Sequence, residues 1–124
     1  GFIALHIHSA RTSGKLSNTI KYSYLSSVIV EEIEKRLNIK IDRKSLDYAR
    51  FLTHVRFAIE RVVANKEITN DLLDVIKERY KVSYNIAEDI SGIICKTLEV
   101  GSISEDEISY LAMHIERFRI TLLD

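Results

Sequence analysis

The sequence contains no proline, one cysteine and only four glycines among its 124 residues. Proline and glycine interrupt helices most strongly, and strictly alternating β-branched runs are also missing, so these absences favour helices over strands. Cys95 alone cannot form an internal disulfide, which is consistent with a reducing compartment. We therefore expect an all-α protein.

An excess of charge and a long apolar run are missing as well. Eighteen basic and eighteen acidic residues cancel, so the sequence lacks the broad positive field expected of a nucleic-acid binder. No run approaches the roughly 18 uncharged apolar residues that a membrane helix needs, and no signal peptide opens the sequence. We expect a cytoplasmic protein without membrane insertion, in which any action on nucleic acid uses another segment.

Apolar residues at helical spacing are abundant. They contribute to the 46% hydrophobic composition, which is enough for one sizeable core. Their pattern predicts five helices joined by short connections into a compact five-helix bundle. We expect these helices at about residues 18–37, 45–65, 69–80, 83–100 and 104–122.

Three local signals refine these helix bounds. Ser104 and Glu107 form an S-x-x-E capping box, in which the hydroxyl and the carboxylate satisfy each other's backbone amides. Gly101 suits the left-handed residue that closes the fourth helix. Gly92 lies inside that helix at a cost of about 1 kcal/mol relative to alanine, which suggests a close helix approach.

Two histidines are the candidate functional residues. At about 100° per residue, His54 lies roughly 100° from the centre of the apolar stripe on the second helix, and His114 roughly 60° from the stripe on the last. At such a border between core and solvent, an imidazole nitrogen can act as a nucleophile towards a phosphoryl donor. The added negative charge needs partners, and the arginines near enough in helical position are Arg50, Arg56, Arg61 and Arg117.

The first seven residues repeat residues 109–115 class for class, with the alanine, histidine and isoleucine identical. The spacing between the two copies is about the length of one small domain. We therefore expect residues 1–15 to be the end of the last helix of an upstream homologous domain plus a linker, and residues 16–124 to form the domain itself. His6 would then be a site of the upstream domain.

Two segments carry a family resemblance. Residues 46–61, LDYARFLTHVRFAIER, resemble the first histidine motif of the regulatory domains controlled by the bacterial sugar phosphotransferase system, and residues 106–117, DEISYLAMHIER, resemble the second. The pattern from about residue 16 to 124 fits the family's five-helix fold. Tandem copies are typical of transcriptional antiterminators of the BglG and LicT type, and this chain resembles the second copy. Ser109 replaces a glycine of many relatives, at a position that we expect on the exposed side of its helix.

The resemblance implies a function. In that family a small N-terminal RNA-binding domain precedes two regulatory domains, whose histidines are phosphorylated by the histidine-containing phosphocarrier protein and the sugar-specific permease. It implies that His54 and His114 are the phospho-acceptors, that His6 matches the second site of the upstream copy, and that phosphorylation controls homodimerisation and RNA binding by the separate domain. No enzymatic activity and no cofactor are implied.

Four other interpretations remain open. Similar regulatory domains occur in DNA-binding transcriptional activators, which residues upstream of Gly1 would distinguish. A histidine phosphotransfer bundle commonly carries one histidine in an H-x-x-K-G setting, which neither motif here has. Metal binding has weak support, because His6 and His8 point about 200° apart on a helix and no zinc motif is present. Each histidine could also be a structural residue at the edge of the core.

Overall fold

The computed structural model describes residues 21–121, and the helices of this range agree with the all-α bundle expected from the sequence. The expected upstream helix end with His6, the linker and the start of the first helix lie outside the described residues. So does the last expected helical residue, Leu122. The first helix, α1, covers 21–37 of the described range. The others are α2 (Leu46–Val63), α3 (Leu73–Arg79), α4 (Lys81–Leu98) and α5 (Glu105–Thr121).

The core is built around α5, which packs against α2, α3 and α4. The buried stripe of α5 follows the predicted spacing, with Leu111 and Ile115 fully inaccessible to solvent. Phe118 meets Phe51 of α2 edge to face, with ring centroids 5.5 Å apart. Helices α2 and α5 pack against each other and each buries one side in this core. Residues at the border of the two buried sides can therefore lie next to one another. Helix α1 adds Leu25, Ile29 and Ile33 to the same cluster.

Helix α3 begins four residues later than its predicted start at Thr69. The amide N–H of Asn70 donates to the Asp106 carboxylate at 2.7 Å, and the Asn70 side-chain oxygen accepts the N–H of Leu72 at 3.0 Å. The Thr69 carbonyl accepts a hydrogen bond from the Tyr110 hydroxyl at 3.1 Å. These bonds tie the segment to α5 in a side-chain turn that replaces the first helical turn.

The same segment overturns the expectation for Ser109, which is completely buried. Its hydroxyl donates to the Asp106 carbonyl at 2.5 Å and accepts from the side-chain Nδ2 of Asn70 at 2.9 Å. A helical wheel places Ser109 away from the apolar stripe. The expectation was wrong because the loop before α3 covers that side of α5.

Both glycine predictions were also wrong. The left-handed residue after α4 is Glu99, with φ 53°, and no described glycine has a positive φ. The chain closes the helix there with the Glu99 and Val100 amides donating to the Cys95 carbonyl. Within residues 21–121, and apart from the backbone of α4 itself, no atom lies within 4 Å of a Cβ added at Gly92, so no helix of this range approaches it closely.

Between residues 21 and 121, none of the helices has both the length and the apolar character needed to cross a membrane.

Candidate functional site

Helices α2 and α5 bring together the two histidines that the sequence singled out. The ring centroids of His54 and His114 lie 5.0 Å apart, with their planes inclined by 39°. Both side chains are partly exposed, as their helical positions predicted. The ring centroids of Tyr110 and His54 lie 5.7 Å apart, and those of Phe51 and His114 lie 6.3 Å apart in an edge-to-face arrangement. The two motifs therefore form one site.

This site opens into a groove of about 410 Å³ that runs along α2, with His114 as the contribution of α5. Two large apolar side chains border it and remain open to solvent, Leu46 at 62% and Phe57 at 49% exposure. Arg50 brings the positive charge to the lining. The full lining, which we call the histidine groove, is Leu46, Ala49, Arg50, Thr53, His54, Phe57 and His114.

A buried ion pair lies behind His54. The Glu107 side chain is 3% exposed, and the Arg61 guanidinium donates a hydrogen bond to each of its two carboxylate oxygens. Arg61 Nε donates to Oε2 at 2.9 Å and Nη2 donates to Oε1 at 2.6 Å. This two-pronged arrangement fixes the plane of the carboxylate as well as its position.

The Glu107 carboxylate is ionised at neutral pH. Burial alone would raise its pKa, but the hydrogen bonds from Arg61, a smaller contribution from His54 and the positive charge of Arg61 outweigh it. Together they hold the pKa of Glu107 at about 2. A fixed negative charge therefore faces the inner side of the His54 ring.

The contact between this carboxylate and His54 is long. His54 Nε2 lies 3.4 Å from Glu107 Oε1, beyond the usual N–H to oxygen hydrogen-bond range of about 2.7–3.2 Å. Nε2 is buried and, among the described residues, has no hydrogen-bond partner of good geometry. The interaction is therefore mainly electrostatic and weaker than the bonds from Arg61.

His114 is neutral at neutral pH. Burial lowers its pKa most, the neighbouring His54 lowers it further, Asp47 opposes the shift, and Arg50 adds a smaller lowering. The resulting pKa is about 4. A neutral imidazole keeps a lone pair on one ring nitrogen, so His114 is available as a nucleophile without first losing a proton.

The four arginines proposed as phosphate partners take different places. Arg50 lines the histidine groove, and Arg61 is committed to Glu107. Arg117 Nε lies 3.5 Å from the carboxylate of Asp47. Asp47 in turn is one of the charged groups that affect the pKa of His114. Arg56 is 72% exposed beside Glu60 and is outside the groove lining.

The capping-box prediction is correct for the backbone N–H of Glu107 but not for its side chain. Its N–H donates to the Ser104 hydroxyl at 3.2 Å as predicted, but its carboxylate binds Arg61 across the helix interface. The sequence did carry a signal for this role. Arg61 follows His54 by seven residues and Glu107 precedes His114 by seven, and residues two turns apart share one helix face.

Metal-binding geometry was also assessed for residues 21–121. In that range no three or more histidine, cysteine, aspartate or glutamate side chains are grouped so that they could hold a metal ion.

Comparison with known proteins identifies the family. The PRD domain model matches residues 27–118, and the chain belongs to the PRD domain family. This confirms the resemblance of the two histidine motifs.

Relatives of known name cover nearly the whole chain. The PtsGHI operon antiterminator of Bacillus subtilis is 38% identical over 120 residues, 94% of this chain and 42% of that protein. The Beta-glucoside operon antiterminator of Dickeya chrysanthemi is 30% identical over 125 residues, 98% of this chain and 44% of that protein. Protein GlcT of Staphylococcus aureus is 37% identical over 120 residues, 95% and 42% respectively. The chain thus spans less than half the length of these relatives.

Proposed function

We propose that this chain is a regulatory domain of a bacterial transcriptional antiterminator, with His54 and His114 as acceptors of phosphoryl groups from the sugar phosphotransferase system. The meeting of the two rings at 5.0 Å in one open groove carries the proposal. Membership of the PRD domain family and relatives named as operon antiterminators support it.

The phosphoryl transfer needs only an accessible acceptor nitrogen from this chain. A donor phosphohistidine approaches through the groove, its N–P bond breaks, and a new N–P bond forms to a ring nitrogen of the acceptor. The donor imidazole leaves with the electron pair of the broken bond. The acceptor needs exposure and a lone pair, which the neutral His114 ring offers, and the proposed role is regulatory rather than enzymatic.

The regulatory effect follows from charge. A phosphoryl group adds about −1.5 to −2 charges beside Leu46 and Phe57, two exposed apolar side chains. Arg50, which lines the groove, is one candidate partner, and Arg117 could join by leaving Asp47. The changed surface biases how two copies of the chain meet, and the homodimer passes the change to a separate N-terminal RNA-binding domain. The partners are the histidine-containing phosphocarrier protein and the sugar-specific permease, in the cytoplasm.

Phosphorylation in vitro tests this proposal. The purified chain is incubated with radiolabelled phosphoenolpyruvate, the kinase of the system and the phosphocarrier protein, and we expect an acid-labile label on the chain. His54→Ala and His114→Ala should each lower the label, and the double variant should remove most of it. Thr53→Ala, in the same groove, is the control and should label like the wild type. Absence of label, or equal label on the double variant, would show that the proposed acceptors are wrong.

A further inference from the structure

One ring nitrogen of His54, Nε2, is enclosed by the protein. Nε2 is buried and faces the Glu107 carboxylate at 3.4 Å. The side chain as a whole is 19% exposed and lines the histidine groove. The accessible part of the ring is therefore not Nε2.

We propose that Glu107 is a positioning residue, which keeps the proton of His54 on Nε2 so that Nδ1 is the atom that accepts the phosphoryl group. This inference rests on the proposed function of His54 as a phospho-acceptor. It adds the reacting atom and a residue that acts through His54.

The charge of Glu107 selects the tautomer. With the proton on Nε2, an N–H dipole points towards a fixed carboxylate, which is favourable. With the proton on Nδ1, the Nε2 lone pair would face the same carboxylate at 3.4 Å, a distance too short for a water molecule to lie between the two atoms, which is repulsive. Of the two neutral tautomers, the carboxylate therefore favours Nε2–H, which leaves the lone pair on Nδ1.

Space and charge also exclude a phosphoryl group from Nε2. That nitrogen has almost no solvent-accessible surface, and it lies 3.4 Å from an oxygen of the Glu107 carboxylate, which two hydrogen bonds from Arg61 hold in place. A phosphoryl group attached there would meet this anion at close range. A group on Nδ1 would not face the buried ion pair.

The transfer step is balanced without any further group. The Nδ1 lone pair attacks the phosphorus of a donor phosphohistidine, a P–N bond forms to Nδ1, and the donor's N–P bond breaks with its electrons leaving on the donor imidazole. The His54 ring retains its Nε2 proton and gains positive charge during the attack. Glu107 stabilises that developing charge from the opposite side of the ring, at the position where Arg61 holds it.

The first test measures the tautomer before any donor is added. Heteronuclear NMR of the isotopically labelled chain distinguishes Nε2–H from Nδ1–H on His54, and we expect Nε2–H. A predominant Nδ1–H form would overturn the positioning role. This measurement is independent of phosphorylation.

The second test identifies the phosphohistidine isomer. His114→Ala protein is phosphorylated, and the isomer in the His54 peptide is determined by phosphorus NMR under neutral conditions. The π isomer, with phosphorus on Nδ1, is expected. The τ isomer, with phosphorus on Nε2, would overturn the proposal. If no label reaches His54, the proposed function fails, and the tautomer measurement still decides the role of Glu107.

Two matched variants separate a positioning role from a structural one. Glu107→Gln removes the charge at the same size, and we expect about tenfold slower labelling of His54 together with more of the Nδ1–H tautomer. Glu116→Gln is the control, because Glu116 is also a buried α5 carboxylate that binds an arginine, on the side of the helix that meets Ser83. Equal labelling rates for the two variants would contradict the proposal. The isomer measured in the presence of Glu107 decides it even if Glu107→Gln fails to fold.

Discussion

Among the single-residue contacts of the site, the ion pair between Arg61 and Glu107 fixes the carboxylate that faces His54. Glu107 is almost fully buried, and its charge is balanced across the helix interface by the side chain of Arg61. A pair of this kind contributes little net stability, since both groups lose their hydration, but removing one member leaves the other charge buried without a partner. Replacing one member of the pair should therefore cost more free energy of unfolding than replacing both with apolar residues.

We therefore predict that Arg61→Met lowers the free energy of unfolding by about 3 kcal/mol, whereas the double variant Arg61→Met, Glu107→Leu recovers a large part of that loss. Urea denaturation gives both values. Arg56→Met is the control, because Arg56 is 72% exposed beside Glu60, and its effect should stay within about 0.5 kcal/mol. A double variant less stable than Arg61→Met would contradict this account of the pair.

The low pKa of His114 predicts a loss of stability in weak acid. The unfolded chain binds a proton near the ordinary histidine pKa of 6.5, whereas the folded chain binds it only near pH 4. Between these values the unfolded state holds more protons, so the free energy of unfolding falls as the pH is lowered from about 6.5 to 4. Since the ring is partly solvated, we expect a loss on the order of 1–2 kcal/mol.

Urea denaturation at a series of pH values measures this loss. His114→Gln has no group that titrates at this position, so its stability should vary less over the same range. Parallel curves for the wild type and His114→Gln would contradict the assignment. The charged and titratable neighbours in the comparison are His54, Asp47 and Arg50.

The sequence predicted the histidines better than their surroundings. Counting residues around a helix placed His54 and His114 at the border of the core, because that position depends on each helix alone. The Arg61 to Glu107 contact depends on the registration of α2 against α5, which no single-helix pattern contains. Glu107 was assigned to its helix terminus because the capping box is a local signal. Ser109 was misplaced for the same reason, since its cover comes from the loop at Asn70.

At the scale of helices, the cap at Ser104 was predicted correctly, since its hydroxyl accepts the Glu107 amide N–H at the start of α5. Helix α2 begins within one residue of its expected start, where the Ser45 hydroxyl accepts the Tyr48 amide N–H at 3.1 Å, a cap that was not predicted from the sequence. The start of α3 was missed because the Asn70 turn is held by bonds to another helix. The closing residue of α4 was missed because Glu99 adopts a left-handed conformation that favours glycine or asparagine.

Gly92 yields a prediction at this scale. It lies within α4, and among the described residues a Cβ at this position would meet no atom within 4 Å other than the backbone of its own helix. Gly92→Ala should therefore raise the free energy of unfolding by about 0.5–1 kcal/mol, because alanine loses less backbone entropy in a helix. Gly101→Ala is the control, since Gly101 has the same free space but lies outside the helices, and should gain less. Destabilisation by Gly92→Ala would contradict this view of α4.

At the scale of the whole molecule, the apolar pattern predicted the all-α bundle, and the meeting of the two motifs came from the packing of α2 on α5. Each motif alone gives one histidine at a helix shoulder. Their separation of 5.0 Å is a tertiary property, because it needs the core between Phe51 and Phe118 to set the position of both helices. The chain spans 42–44% of the length of its named relatives.

If the histidine groove lies where two copies of the chain meet, phosphorylation should change their association. We expect the dissociation constant of the dimer to shift by about fivefold or more, a coupling of about 1 kcal/mol, when the chain is phosphorylated. Analytical ultracentrifugation over a concentration series measures this constant. The His54→Ala, His114→Ala double variant treated in the same way should show no shift. Identical constants for phosphorylated and untreated wild type would contradict the proposed coupling.

His54 and His114 are proposed to form one phosphorylation site together. Peptide mapping by mass spectrometry under neutral conditions tests it most directly, after incubation with phosphoenolpyruvate, the kinase and the phosphocarrier protein. The account predicts phosphoryl adducts on His54 and His114, lost from both positions in the double alanine variant. Adducts found only at other residues, or none at all, would contradict it.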